Sequence, residues 1–316
     1  MPKMSTDLEK HVLTGPTMGT TWSATFYGPA DLNTAPLKAA LQACVDEVDQ
    51  QMSTWNPASD LMSFNRAAVG QWVAVPDRLF EVVEAGLAIG IASGGAFNIA
   101  LGEVVAAWGY GGATVDSGAI RQTLGKASAP AQARIDLDRL GKRLCKRLPA
   151  ALDLSGIAKG YAVDRMADVL AQNGIASALT SLDGELCARG LKPDGSAWSI
   201  AIERPDYYQR AAHSAMTLEN AGIATSGDYR HWVEVSGKRH SHTMDPALSG
   251  PLRQSPASVT VVAQSAMEAD GWATAFMILG PEAAAPIART LGMSALFMYR
   301  NGVDFREERI GQLFFG

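Results

Sequence analysis

The run Asp153-Leu154-Ser155-Gly156-Ile157-Ala158-Lys159-Gly160-Tyr161 reads as a buried strand end passing through a glycine-rich turn into a helix over residues 162–172. Glycines let backbone approach a ligand closely, a first helical turn presents unpaired N–H groups to an anion, and Lys159 adds a mobile cation, so the segment suits phosphate. It is not a nucleotide P-loop, which needs four residues between its first glycine and a Gly-Lys-Ser/Thr. The same residues also fit a tight strand-to-helix turn with Lys159 solvated.

A second set follows Ser265, which with Glu268 forms a capping box and predicts a helix start there. Asp270 then falls inside the helix, ahead of the apolar run 272–279, and Thr274 one turn on shares its face. A carboxylate and a hydroxyl so placed suit a hard cation such as Mg²⁺, with phosphates and water completing the octahedron. The alternative is a solvated aspartate that favours the helix dipole.

A third set comprises Thr225-Ser226-Gly227-Asp228-Tyr229 and the stretch 238–246, which holds His240, His242 and Asp245-Pro246. His242 is a candidate base for a hydroxyl nucleophile. It equally fits a strand residue with a satisfied hydrogen bond. His240 and His242 share a strand face, but no accompanying Cys or Glu spacing supports a metal pair.

The chain that must position these groups has 316 residues, 47% hydrophobic and 19% charged, with a net charge of −5. That is the profile of a soluble globular protein with a large core. No Lys/Arg block of nucleic-acid-binding length occurs, and the basic run 142–147 reads as the solvated face of a hairpin. Cys44, Cys145 and Cys187 are too scattered for a disulfide framework or a zinc site. Residues 1–14 are polar, lack the apolar core of a signal peptide and read as a flexible amino-terminal segment. The chain as written therefore points to the cytoplasm, with a periplasmic location if a leader was removed. No apolar run is long enough for a membrane span.

Periodicity predicts strands over 17–27, 72–75, 134–137, 143–148, 178–182, 185–189, 198–203, 215–218 and 229–235, and helices over 36–52, 78–92 and 119–125. Short turns between strands favour antiparallel pairing. The expected class is α+β, antiparallel sheets covered by helices, rather than a doubly wound parallel sheet.

Set in order, these segments resemble the FAD:protein FMN transferase family, also called the ApbE type, from about Gly15 to Leu291. Thr17 to Trp22 is similar to the family's opening strand. Met52 to Pro57 with Ser59 to Asn65 is similar to its Phe-Ser-Thr-Tyr-Asp-Pro segment and the motif after it. Ser93-Gly94-Gly95-Ala96-Phe97 is similar to a glycine turn before the flavin wall, and residues 153–161 to its Asp-Leu-Gly-Gly-Ile-Ala-Lys-Gly-Tyr. Ser181 to Glu185, Thr225 to Tyr229, His242 to Pro246, and Asp270 to Thr274 complete the set.

The resemblance implies a single bilobed unit over 15–310, two intimately packed lobes with the flavin site between them. It implies Mg²⁺-dependent transfer of FMN from FAD to a threonine of an acceptor flavoprotein or redox-complex subunit, with AMP leaving. It assigns Mg²⁺ to the Ala158 carbonyl, Asp270 and Thr274, proton acceptance to His242, and the isoalloxazine to Met18 and Trp55. It also implies FAD contacts from Gly95, Ala96, Phe97, Ser155, Gly156, Lys159, Asp183, Gly184, Thr225, Ser226 and Asp228. Trp55 stands where Tyr is usual, Asn98 where Asp is common, and Asp183 and Glu185 where Gly and Asp are usual. An FAD pyrophosphatase and a non-catalytic FAD carrier are the alternatives.

Overall fold

Every position of the strand Ser258–Ala263 is buried, the mark of a strand covered on both faces. Val259 and Val261 join the main core with Trp272 and Phe276. Val262 points the other way, into a cluster with Trp198, Ile200 and Leu296. The computed structural model, which describes residues 8–230, 232–235, 238–253, 256–302 and 304–314, places this strand inside an eight-stranded sheet. The order is Leu8–Thr17, Thr20–Pro29, Ala178–Leu182, Glu185–Arg189, Ala221–Gly227, Ser258–Ala263, Ser294–Asn301 and Asp304–Ile310. All neighbours pair antiparallel.

Helices Ala35–Met52, Asp77–Ala92, Ala158–Gln172 and Ala266–Thr290 pack toward one face, and the hairpin of Trp198–Glu203 with Ala212–Leu218 covers part of the other. The predicted class, α+β with antiparallel sheets covered by helices, is therefore the observed one. Among the described residues no helix is long and apolar enough to cross a membrane. The three cysteines are buried and unbridged.

Several boundaries differ from the periodicity. The expected strand over 17–27 is interrupted by a turn, because Met18 and Gly19 both adopt positive φ (47° and 72°) and reverse the chain. Residues 8–14 form most of the edge strand that this turn creates, while residues 1–7 lie outside the described residues. The strand expected over 229–235 begins only at Trp232, and His231 lies outside the described residues.

The Ala221–Gly227 strand had no prediction, since its Gly, Ala, Ser and Thr residues carry no clear alternation. Gly222 is required there, because a Cβ would stand 2.1 Å from the Ala266 backbone nitrogen. The late helix starts where Ser265 predicts, with the Ser265 hydroxyl accepting from Glu268 N–H at 3.1 Å. It breaks at Gly280, whose φ of 71° and ψ of 172° are not helical, and restarts on Pro281.

Candidate active site

The helix after the glycine turn begins at Ala158, four residues earlier than periodicity predicts, so Lys159 and Gly160 belong to its first turn. Two N–H groups of that turn are engaged within the protein. The Ala158 N–H bonds the Leu154 carbonyl at 2.9 Å, and the Gly160 N–H donates to Asp270 Oδ2 at 3.0 Å. A carboxylate of the protein itself therefore occupies the positive end of this helix. Gly160 also lets the two helices approach closely, since a Cβ there would meet the Ala266 carbonyl oxygen at 2.2 Å. A turn further along, Asp164 accepts from the Ala266 and Met267 N–H groups, both at 2.9 Å, capping the late helix from outside. Three hydrogen bonds, at Gly160 and at Asp164 one turn on, thus bolt the helices together.

Asp270 is 4% exposed, which excludes the solvated reading. Burial pushes its carboxyl up to about 6, against the lowering influence of Lys159 and the Gly160 N–H. One turn on, Thr274 Oγ1 lies 3.2 Å from Ser226 Oγ. A Cβ on Gly156 would stand 3.0 Å from the same Thr274 oxygen, so only glycine lets the turn come this close. The turn and the late helix therefore meet as the two sequence motifs require.

They meet at a cavity of about 290 Å³. Its walls include Ala96, Phe97, Ser155, Gly156, Lys159, Asp183, Gly184, Thr225, Ser226, His242, Asp270 and Thr274. Asn98 lines it too, but its amide is committed to structure. Nδ2 donates to the Ala129 carbonyl at 3.2 Å and Oδ1 accepts from the Ala100 N–H at 3.0 Å. An aspartate there would lack the first of these bonds.

Five predicted residues lie off this wall. Gly95, with φ of 92°, shapes the turn behind Ala96. The Ala158 side chain is buried against the core, so only its backbone is available to a ligand. Met18 is half-buried against the main core. Trp55 is 72% exposed, with its ring against Gly112. Asp228 is the clearest departure: its carboxylate takes both Arg300 nitrogens, at 2.7 and 2.6 Å, and faces a separate groove.

Lys159 is half-buried and paired rather than free at the surface. Its ammonium lies 3.1 Å from Asp183 Oδ2 and 3.0 Å from Glu185 Oε1. Burial alone would lower its pKa, but Glu185, Asp270 and Asp183 together raise it above the lysine range. Glu185 had no assigned role in the sequence reading, although an acid opening the apolar strand Glu185–Arg189 was a visible signal. It is 2% exposed, and among the described residues Oε2 has no hydrogen-bond partner. Burial pushes its carboxyl up to about 8, with Lys159 opposing and the carboxylates of Asp270 and Asp183 adding to the rise. Glu203 and Arg230, which the sequence gave no means of finding, line the cavity together with Tyr229. Arg230 pairs with Glu203, and the Tyr229 hydroxyl donates to Glu203 at 3.3 Å.

One lysine facing three carboxylates leaves the ligand-free cluster sensitive to pH. A carboxyl with a raised folded pKa contributes stability below its unfolded value, 4.5 for Glu185, and loses it as pH rises through about 8. The melting temperature of the metal-free protein is therefore expected to fall between about pH 5 and about pH 8 and to level off above that, with a shallower fall for Glu185→Gln. Equal slopes in scanning fluorimetry would refute this.

Fold and cavity together define an α+β protein with a polar, acid-rich pocket where helix N-terminus, sheet and late helix converge. The chain belongs to the ApbE family, whose pattern it matches over residues 18–297. It is 37% identical over 303 residues to the FAD:protein FMN transferase of Klebsiella pneumoniae (strain 342), covering 93% of this chain and 86% of that protein. Among solved structures, the flavin transferase ApbE from Vibrio cholerae superposes with a TM-score of 0.83 at 30% identity, covering 96% of this chain and 97% of the other. The apo form of the Pseudomonas stutzeri flavinyl transferase ApbE gives 0.82 at 36% identity, covering 96% and 95%.

Proposed function

We propose that this chain transfers FMN from FAD to a threonine hydroxyl of an acceptor protein, releasing AMP, with residues 15–310 as one catalytic unit. The carrying observation is the single cavity lined by Lys159, His242, Asp270 and Thr274, in a chain whose curated relatives bear the name FAD:protein FMN transferase. The threonine oxygen attacks the phosphorus of the FMN half. The bond from that phosphorus to the bridging oxygen breaks, and the bridging oxygen leaves with AMP. His242 takes the hydroxyl proton.

The residues present fit Mg²⁺. The buried Asp270 carboxylate, the Thr274 hydroxyl and the Ala158 carbonyl are all hard oxygen donors, and the surplus of carboxylate over lysine leaves room for a cation. Among the described residues no three His, Cys, Asp or Glu side chains form a metal cage by themselves. Bound there, Mg²⁺ supplies charge neutralisation at the diphosphate.

The chain's own groups do the rest. Lys159, kept charged by its acidic neighbours, adds a fixed cation at the same wall. Asp270, held by Gly160, cannot swing away as the ligand enters. Ser155, Gly156, Thr225, Ser226, Ala96 and Phe97 form the remaining contact surface. The assignment of Met18, Trp55 and Gly95 to the flavin rests on the resemblance alone.

The test is incubation with FAD, Mg²⁺ and an acceptor domain. Intact mass is expected to rise by one FMN per acceptor, with matching AMP, and neither product forms with EDTA. Free FMN and AMP appearing at the same rate without acceptor would make the protein a pyrophosphatase. No AMP under any condition would make it a carrier.

A further inference from the structure

A second cavity, of about 680 Å³, lies beyond the cavity that holds His242, and Ile278 lines both. Its wall includes His240 and Ser241, the two residues immediately before His242. A chain lying in this groove therefore runs beside the strand that leads into the candidate base. The groove's floor is aromatic. Tyr207 and Trp232 meet edge to face at 6.3 Å, and Tyr208, 84% exposed, sits 6.4 Å from Tyr207.

Its charge is arranged unevenly. Arg300 is held by Asp228 and stacks on Tyr207 at 4.1 Å, so that pair neutralises itself. Arg239 lies over Trp232 at 4.5 Å and over Tyr207 at 5.5 Å, held by rings rather than by a carboxylate. Among the described residues neither Arg239 nor Arg253 has an ion-pair partner at salt-bridge distance. The one other acid on the wall is Glu282. Exposed Trp, Tyr and Arg over a concave surface are the residue types that carry binding energy in protein interfaces. Two arginines without a carboxylate partner among the described residues, in a chain of net charge −5, call for an acidic partner.

We infer that this groove docks the acceptor protein through an extended acidic segment next to its target threonine, with Arg239 and Arg253 pairing the carboxylates and Trp232 and Tyr207 covering the backbone. The inference rests on the proposed transfer reaction, because it places the incoming hydroxyl at the mouth shared through Ile278. Selectivity for the acceptor then resides outside the FAD cavity.

The experiment uses fluorescent threonine-centred peptides whose flanking residues are Asp/Glu, Ser/Gly or Lys/Arg, with binding read by anisotropy and FMN addition by mass spectrometry. The acidic peptide is expected to bind at least about tenfold more tightly than the basic one, and Arg239→Glu and Arg253→Glu each to weaken it about tenfold. FAD binding, read by flavin fluorescence, stays at the wild-type value in both variants. Trp232→Leu provides an uncharged test of the aromatic floor and is expected to weaken all three peptides together. Absence of charge preference, or unchanged acidic-peptide affinity in both arginine variants, overturns the docking surface. An acidic peptide that binds through Arg239 but never gains FMN leaves the surface standing and refutes the transfer reaction.

Discussion

Replacing Asp270 by alanine is expected to lower FMN transfer by at least about a thousandfold, because one substitution removes both a charge and a structural bond. The buried carboxylate is the one acidic side chain in the proposed Mg²⁺ set, and it also occupies the Gly160 N–H at the start of the Ala158–Gln172 helix. Asp270→Asn separates the two roles. The amide keeps an oxygen for Gly160 and nearly the same volume but supplies no negative charge. If charge is decisive, Asn fails almost as badly as Ala, and AMP release with excess Mg²⁺ stays near background for both. An asparagine variant within about tenfold of wild type would mean the residue serves geometry alone. Far-ultraviolet circular dichroism of both variants checks that the loss is not unfolding.

His242→Ala is expected to lower transfer by about a hundredfold to ten-thousandfold, the usual contribution of a positioned base, while FAD affinity stays near wild type. The imidazole lines the cavity from the segment after the Lys238–Ser241 strand, whereas Asp270 and Thr274 stand on the Ala266–Thr290 helix. Loss of the histidine should therefore spare the binding of the diphosphate and slow only the attack of the hydroxyl. Added imidazole is expected to restore part of the rate in His242→Ala and none in Asp270→Ala. Parallel loss of FAD affinity, followed by flavin fluorescence, would reassign His242 to substrate binding.

The elements with strict alternation were legible in the sequence, and Ala178–Leu182, Glu185–Arg189 and Trp198–Glu203 have the predicted bounds. Ala221–Gly227 was not, because its small residues answer to a helix packed against them rather than to a local pattern. In the site, Asp270 and Thr274 were readable as a pair one turn apart, and the Ser265 cap fixed their phase. Whether Asp270 faced water depended on Gly160, 110 residues away, and no local rule reaches that far. The surroundings of Asp228 were hidden for the same reason: the arginine that pairs with it lies 72 residues further on. Glu185 looked like a departure from a family turn, and its meaning came only when the sheet set it against Lys159.

The paired bolts between the Ala158–Gln172 and Ala266–Thr290 helices have a consequence for biosynthesis. A ribosome must deliver the chain past Asp270 before Gly160 and Asp164 find their partners, so the earlier helix waits with a backbone donor and a carboxylate unanswered for more than a hundred codons. Such long-range closure is slow, and a nascent chain halted in that interval exposes apolar surface meant for the later helix. Chaperone demand should therefore peak late in translation, and truncation just ahead of the second helix should yield insoluble product rather than a smaller folded protein.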